Sequence, residues 1–135
     1  MNFTQISYES LNSRQKENYN FHKLAAVLAD YGFTSIRLFD DWNGADFIAQ
    51  HIDGISFLKI QLKGRLCIYK KYMGKDLYIA FPYDNDWYLY LHDPMVDYLL
   101  DNTKIGNTKS WLVEGGYSKG SLNNEELEYF KYFKI

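Results

Sequence analysis

Between residues 11 and 32 the apolar positions fall at helical spacing. Leu24, Ala25, Val27, Leu28 and Tyr31 form a stripe that Phe21 extends. Asn12 or Ser13 suits the N-cap, and Gly32 suits the stop position. The period then changes to two. Thr34 to Phe39 alternates as a strand, with Ile36 and Leu38 on one face, and Asp40-Asp41-Trp42-Asn43-Gly44 reads as a turn-rich loop. Two alternating segments follow, about 45–52 and 55–63, with Asp53-Gly54 between them. Phe47, Ala49, Leu58, Ile60 and Leu62 make an apolar face that should pack on the first helix. The opposite face carries Asp46, Gln50, Lys59, Gln61 and Lys63 and reads as wet. Three more strands are predicted at about 66–72, 76–81 and 86–91, with Asn85 helping the last turn after Pro82. His92-Asp93-Pro94 opens a short helix through Leu100, with Asp93 as N-cap and Pro94 in the first turn. Ser110 to Val113 reads as a short strand and Gly115-Gly116-Tyr117-Ser118 as a loop. Asn123 or Asn124 caps a last helix through about Phe133. A helix, then strands, then helices predicts an α/β protein of mixed α+β type.

The hairpin between residues 45 and 63 is the most informative stretch. Asp-Gly favours a two-residue turn in which both central residues take positive φ. With Asp53-Gly54 as that turn, Ile52 pairs with Ile55, and counting outward sets Asp46 opposite Gln61. Lys63 lies two residues on, on the same face. An acid, an amide and a lysine then converge on one patch. Asp and Gln oxygens and backbone carbonyls are hard ligands suited to Mg²⁺. A neighbouring lysine can orient or deprotonate a water and stabilise developing negative charge.

Ala45-Asp46 followed by Gln61-Leu62-Lys63, behind a leading helix, resembles the PD-(D/E)XK, or restriction-endonuclease-like, nuclease superfamily. Ala-Asp stands where Pro-Asp is usual, and Gln-x-Lys where Glu-x-Lys is usual. The Gln form resembles Mrr-type restriction enzymes. The helix-first order and the run Asp46-Phe47-Ile48-Ala49 resemble archaeal Holliday-junction resolvases. The resemblance covers about residues 11 to 65. It implies a core of helix, three strands, helix and strand, here an N-terminal helix packed on a mixed central sheet with an inserted strand region and C-terminal helices. The insertion is Leu66 to Tyr90, where the second core helix is expected. That helix would be displaced to 93–100. The resemblance also implies a metal-dependent nuclease acting on DNA phosphodiesters with Mg²⁺ or Mn²⁺. Asp46, Gln61 and the main-chain carbonyl of Leu62 would be metal ligands, and Lys63 the catalytic lysine. Related nucleases place a Glu on the first helix, a position that falls near Asn20. Glu17 lies one turn earlier on nearly the same face and is the candidate carboxylate. The resemblance allows a homodimer, since such enzymes commonly pair to cut two strands. Gln61 removes one negative charge from the site. This keeps open an inactive nuclease-fold module that binds nucleic acid or protein.

Composition changes this picture only locally. The 135 residues suggest one domain over 1–135; hydrophobic residues make up 47% and charged residues 24%, a soluble globular profile. The net charge of −2 does not advertise nucleic-acid binding. Within that balance Lys59, Lys63, Arg65, Lys70, Lys71 and Lys75 crowd one segment, either to meet phosphates or to form a solvated sheet edge. The lone Cys67 lies between Leu66 and Ile68 and reads as a buried thiol; no zinc-ligand spacing occurs. The N-terminus lacks a signal pattern and no apolar run approaches spanning length, so a cytoplasmic, non-membrane location is expected.

Other candidates have simpler readings. Asp40 and Asp41 are alternative ligands or turn residues. His51 falls on the apolar face and reads as a core histidine. His92-Asp93 offers a dyad, or a capping Asp93. Tyr69, Tyr72, Tyr78, Tyr83, Trp87, Tyr88 and Tyr90 are sheet-core residues or a base-stacking surface.

Overall fold

A computed structural model describes all residues, 1–135. Helix α1 runs Ser13–Ala29. Asn12 caps it: its side chain accepts the Gln15 N–H, and the Gln15 side chain returns a bond to the Asn12 N–H. Seven strands follow: β1 Phe33–Trp42, β2 Ala45–His51, β3 Phe57–Leu62, β4 Leu66–Tyr69, β5 Tyr78–Tyr83, β6 Asp86–Leu91 and β7 Gly116–Lys119. Helices α2 (His92–Asn102) and α3 (Asn124–Phe130) flank β7. Five strands form one mixed sheet in the order β1-β2-β3-β5-β6. β3 and β5 are parallel; the other neighbours are antiparallel. β4 and β7 form a separate antiparallel pair.

Each face of the main sheet carries its own core. Leu24 and Leu28 of α1 pack with Phe47, Ala49, Ile60, Ala80 and Trp87, so the apolar hairpin face does meet the first helix. The opposite face is only partly wet. Gln61 pairs with Ile79, and further along that face Ile79, Phe81, Tyr88 and Tyr90 are buried against β4, α2 and Phe130 of α3. Sequence alternation on the hairpin could not reveal that cover, because it comes from the chain beyond residue 65. The tyrosines divide as a sheet core requires: Tyr72, Tyr88 and Tyr90 are buried and Tyr69, Tyr78 and Tyr83 half-buried.

The hairpin register follows the expected count, but its turn differs. Phe47 pairs with Ile60 and Gln50 with Phe57, the alignment that sets Asp46 toward Gln61. Ile52 does not pair with Ile55. The last bond is His51 N–H to the Ser56 carbonyl, which leaves a four-residue loop. Gly54 alone takes positive φ there, and the Asp53 carboxylate accepts the Ile55 and Ser56 N–H groups and the Ser56 hydroxyl. Lengthening the loop by one residue on each side keeps its centre, so the pairing survives. His51 is not a core residue: it is half-buried, with Nδ1 3.1 Å from Asp53.

The tight two-residue turn lies earlier. Asn43 (φ 53°) and Gly44 (φ 86°) join Trp42 to its partner Ala45, so most of the expected 40–44 loop is strand. Two further expectations fail downstream. Ser110–Glu114 is a π-helical turn, not a strand. The Trp111 N–H bonds the Thr108 hydroxyl, the Leu112 N–H the Thr108 carbonyl, and Trp111 is buried. The strand is instead Gly116–Lys119, read above as a loop, because β4 supplies a partner from a distant part of the chain. Asp93 caps nothing: α2 begins at His92, and the Asp93 oxygens are taken by His92 Nδ1 and the Gly74 N–H, both at 2.8 Å.

Candidate active site

The site begins with a failure of strand pairing. β1 and β2 pair regularly from Phe33–His51 to Arg37–Phe47 and next at Trp42–Ala45. Leu38 to Asp41 therefore bulge opposite Asp46 alone. Such bulges bend a strand and re-aim side chains. On its other side β2 pairs with β3 only as far as Phe47–Ile60. There the Asp46 carboxylate accepts the Leu62 N–H at 2.8 Å, filling the place the ladder has vacated. Asp46 thus sits in a fork between three strands.

A cleft of about 900 Å³ opens at this fork. Asp46, Gln61, Lys63 and Glu17 all line it, so four of the five residues named from sequence face one space; Leu62 does not line it, and the group it presents to Asp46 is its N–H rather than the carbonyl. Asn20 does not: it is buried and donates to the Tyr8 hydroxyl at 2.9 Å. The helix position nearer the cleft is Glu17, 3.2 Å from Arg37. Asp40 and Asp41 belong to the bulge, line the cleft, and are not simple loop residues; Asp41 accepts the Gly44 N–H at 2.8 Å. Arg14, Arg37, Lys71, Tyr72 and Lys75 complete the polar walls. Arg14 and Arg37 carry no motif and were not legible as site residues. Lys71 and Lys75 were visible only as members of a basic run.

Charge in the cleft is mixed and unevenly paired. Burial lifts the Asp46 carboxyl above the ordinary aspartate range. The Leu62 N–H opposes this, the nearby Glu17 carboxylate adds to it, and Lys63 and Arg37 act against it. Lys63 forms no ion pair; its ammonium lies 5.2 Å from the Tyr69 ring centre and 5.5 Å from that of Tyr72. Burial also raises the Tyr72 hydroxyl, with the Lys71 charge opposing the rise, so the phenol stays protonated and available as a donor at neutral pH.

The donors suit one hard cation better than a cluster of them. Nowhere do three His, Cys, Asp or Glu side chains gather closely enough to hold a metal. Asp46 has one oxygen engaged with Leu62, Gln61 lines the same cleft, and Glu17 is within electrostatic reach. A half-buried carboxylate destabilised by a neighbouring carboxylate is the group that a cation would most relieve. Asp46, Gln61 and Glu17, which line the same cleft, are the residues that could hold a single hard cation.

The backbone topology has a counterpart among solved structures. The bacterial homing endonuclease I-Ssp6803I aligns over 90% of this chain and 88% of its own, with 12% identity and a TM-score of 0.53. This chain shares that structure's fold, a mixed α+β arrangement around the five-stranded sheet. Hjc, a Holliday junction resolvase from the archaeal hyperthermophile Archaeoglobus fulgidus, aligns over 52% of this chain and 74% of its own, with 18% identity and a TM-score of 0.41. No family model matches the chain, and no curated protein matches it in sequence. No helix is long and apolar enough to cross a membrane.

Proposed function

We propose that this protein is a metal-dependent nuclease that hydrolyses DNA phosphodiester bonds. The observation that carries the reading is the meeting of Asp46 of β2 with Gln61 of β3 and Lys63 just beyond its end, in one cleft of a fold shared with a homing endonuclease. Asp46, Gln61 and the Leu62 carbonyl hold the cation, with Glu17 reaching it directly or through water. Bound there, Mg²⁺ or Mn²⁺ would supply charge neutralisation at a phosphoryl oxygen. Lys63 orients the attacking water and stabilises the negative charge that grows as the water oxygen bonds to phosphorus and the ester oxygen departs. Its freedom from any carboxylate partner leaves the ammonium available for that task. The Gln-x-Lys pairing lowers the charge of the ligand set by one relative to Glu-x-Lys, which favours one ion over two.

Two observations support a second reading, an inactive module that binds nucleic acid or protein: Gln61 in place of an acid, and the lack of a three-carboxylate cluster. One assay separates them. Linear, branched and methylated DNA are incubated with Mg²⁺ or Mn²⁺ and either wild-type protein or Lys63→Ala. The nuclease reading expects cleavage by the wild type and at least about a hundredfold loss in the folded variant. Equal cleavage by both forms rejects the role of Lys63. No cleavage by either, together with no divalent-ion binding at millimolar concentration, favours the module.

A further inference from the structure

Two lysines share one pair of rings at the cleft wall. Lys71 Nζ lies 5.1 Å from the Tyr69 ring centre and 5.2 Å from that of Tyr72, the same rings that Lys63 approaches. The rings meet edge to face, with centres 5.6 Å apart. Neither lysine has a carboxylate partner among the ion pairs of the chain. Ring faces attract ammonium groups, but they do not neutralise them. Two like charges held over the same aromatic pair repel each other, and neither is paired with a carboxylate within 4.0 Å.

The segment that carries Lys71 is held in place. Lys70–Tyr72 is a single 3₁₀ turn between β4 and β5. It sends its two lysines to different places: Lys70 lies 5.2 Å from the Trp111 ring, away from the cleft, while Lys71 lines the cleft. A relay through the buried His92 brackets the turn. The Tyr69 N–H donates to His92 Nε2 at 3.1 Å. An amide can only donate, so Nε2 is the bare nitrogen and Nδ1 carries the proton that it donates to Asp93 at 2.8 Å. The other Asp93 oxygen accepts the Gly74 N–H at 2.8 Å. Both ends of the 69–74 segment are thereby fixed to α2, and the Tyr72 ring stands edge-on to His92.

We propose that Lys71 is a second phosphate ligand, which binds a backbone phosphate oxygen of the nucleic acid during substrate binding while Lys63 acts at the scissile phosphate. This rests on the nuclease reading for the identity of the substrate, but the binding step can be measured without cleavage. A duplex oligonucleotide is titrated with wild-type protein, Lys71→Gln, Lys71→Arg and Lys70→Gln at several salt concentrations, without divalent ions. Unfolding curves confirm that each variant is folded. One lost phosphate contact should weaken Lys71→Gln binding about tenfold at low salt and reduce the slope of log K against log salt by about 0.9. Lys71→Arg should restore both, and Lys70→Gln should match the wild type. In the cleavage assay Lys71→Gln should raise KM and leave kcat unchanged.

Equal affinity and salt slope for Lys71→Gln and the wild type would overturn the proposal, as would failure of the wild type to bind the duplex at all. A loss confined to binding, with no cleavage by any form, removes the nuclease reading and leaves the Lys71 contact standing. Cleavage with unaltered Lys71→Gln binding does the reverse.

Discussion

Asp46→Asn separates a binding site from an ordinary strand aspartate by the sign of its effect on stability. The amide is isosteric and its oxygen can still accept the Leu62 N–H, so only the charge is lost. In the native state burial and Glu17 hold the Asp46 pKa above its ordinary value of 3.8. Between the ordinary and the raised pKa the native state binds more protons than the unfolded chain. Stability therefore falls as pH rises through that window, and the loss persists at neutral pH. Removing the charge abolishes this loss, so without divalent ions Asp46→Asn should melt at or above the wild-type temperature at pH 7.5. Mg²⁺ should reverse the order. With a dissociation constant on the order of 1 mM and about 10 mM Mg²⁺, binding to the native state adds about 1.4 kcal/mol. A chain of 135 residues unfolds with an entropy of roughly 0.28 kcal/mol/K, which turns that gain into about 5 °C. Differential scanning calorimetry with and without Mg²⁺, at matched ionic strength, tests both halves. The reasoning fails if Asp46→Asn is the less stable protein without metal, or if it gains the same Mg²⁺ shift as the wild type.

Two other changes probe the frame around the site. Gly44→Ala adds a Cβ 2.9 Å from Leu77 Cδ1 and 3.2 Å from the Tyr72 ring, at φ 86°. It should destabilise the protein by about 2 kcal/mol, read as a lowered urea midpoint, and an unchanged midpoint would show that the β1–β2 turn is not under this constraint. Burial pushes the Cys67 thiol up to about 11, so a disulfide reagent at pH 8 should label it at the rate of unfolding and much faster in urea; labelling as quick as that of a free thiol in native buffer would contradict its burial.

The parts legible in the sequence were those set by local periodicity. Leu24 and Leu28 at helical spacing, and Phe47, Ala49 and Ile60 in alternation, marked two surfaces that do pack together. The hairpin register followed from its centre alone, so it tolerated the wrong turn length at Asp53-Gly54. Asn43-Gly44 carried an equally clear hairpin signal, but Asp40 and Asp41 beside it suggested a loop. What could not be read were contacts between distant segments. β7 is a strand because β4 pairs with it, and Asp93 turns from capping α2 because His92 and Gly74 claim its oxygens. The same limit applies to the cleft, where a motif identified Asp46 and Lys63 but nothing local identified Arg14 or Arg37.

The most consequential of these distant contacts is the bulge at Leu38–Asp41. A continuous β1–β2–β3 ladder would leave Asp46 as one alternating side chain on a flat surface, with the Leu62 N–H engaged by backbone. Four residues of β1 standing against one of β2, and the early end of β2–β3 pairing, open the sheet at that single position. The opening lets the Asp46 carboxylate turn to the Leu62 N–H and share a cleft with Lys63, near Glu17 from the helix. Irregular pairing is what converts a hairpin with suitable residues into a concave, charged site. The cleft thus depends on the local failure of the same periodicity that made the rest of the hairpin predictable.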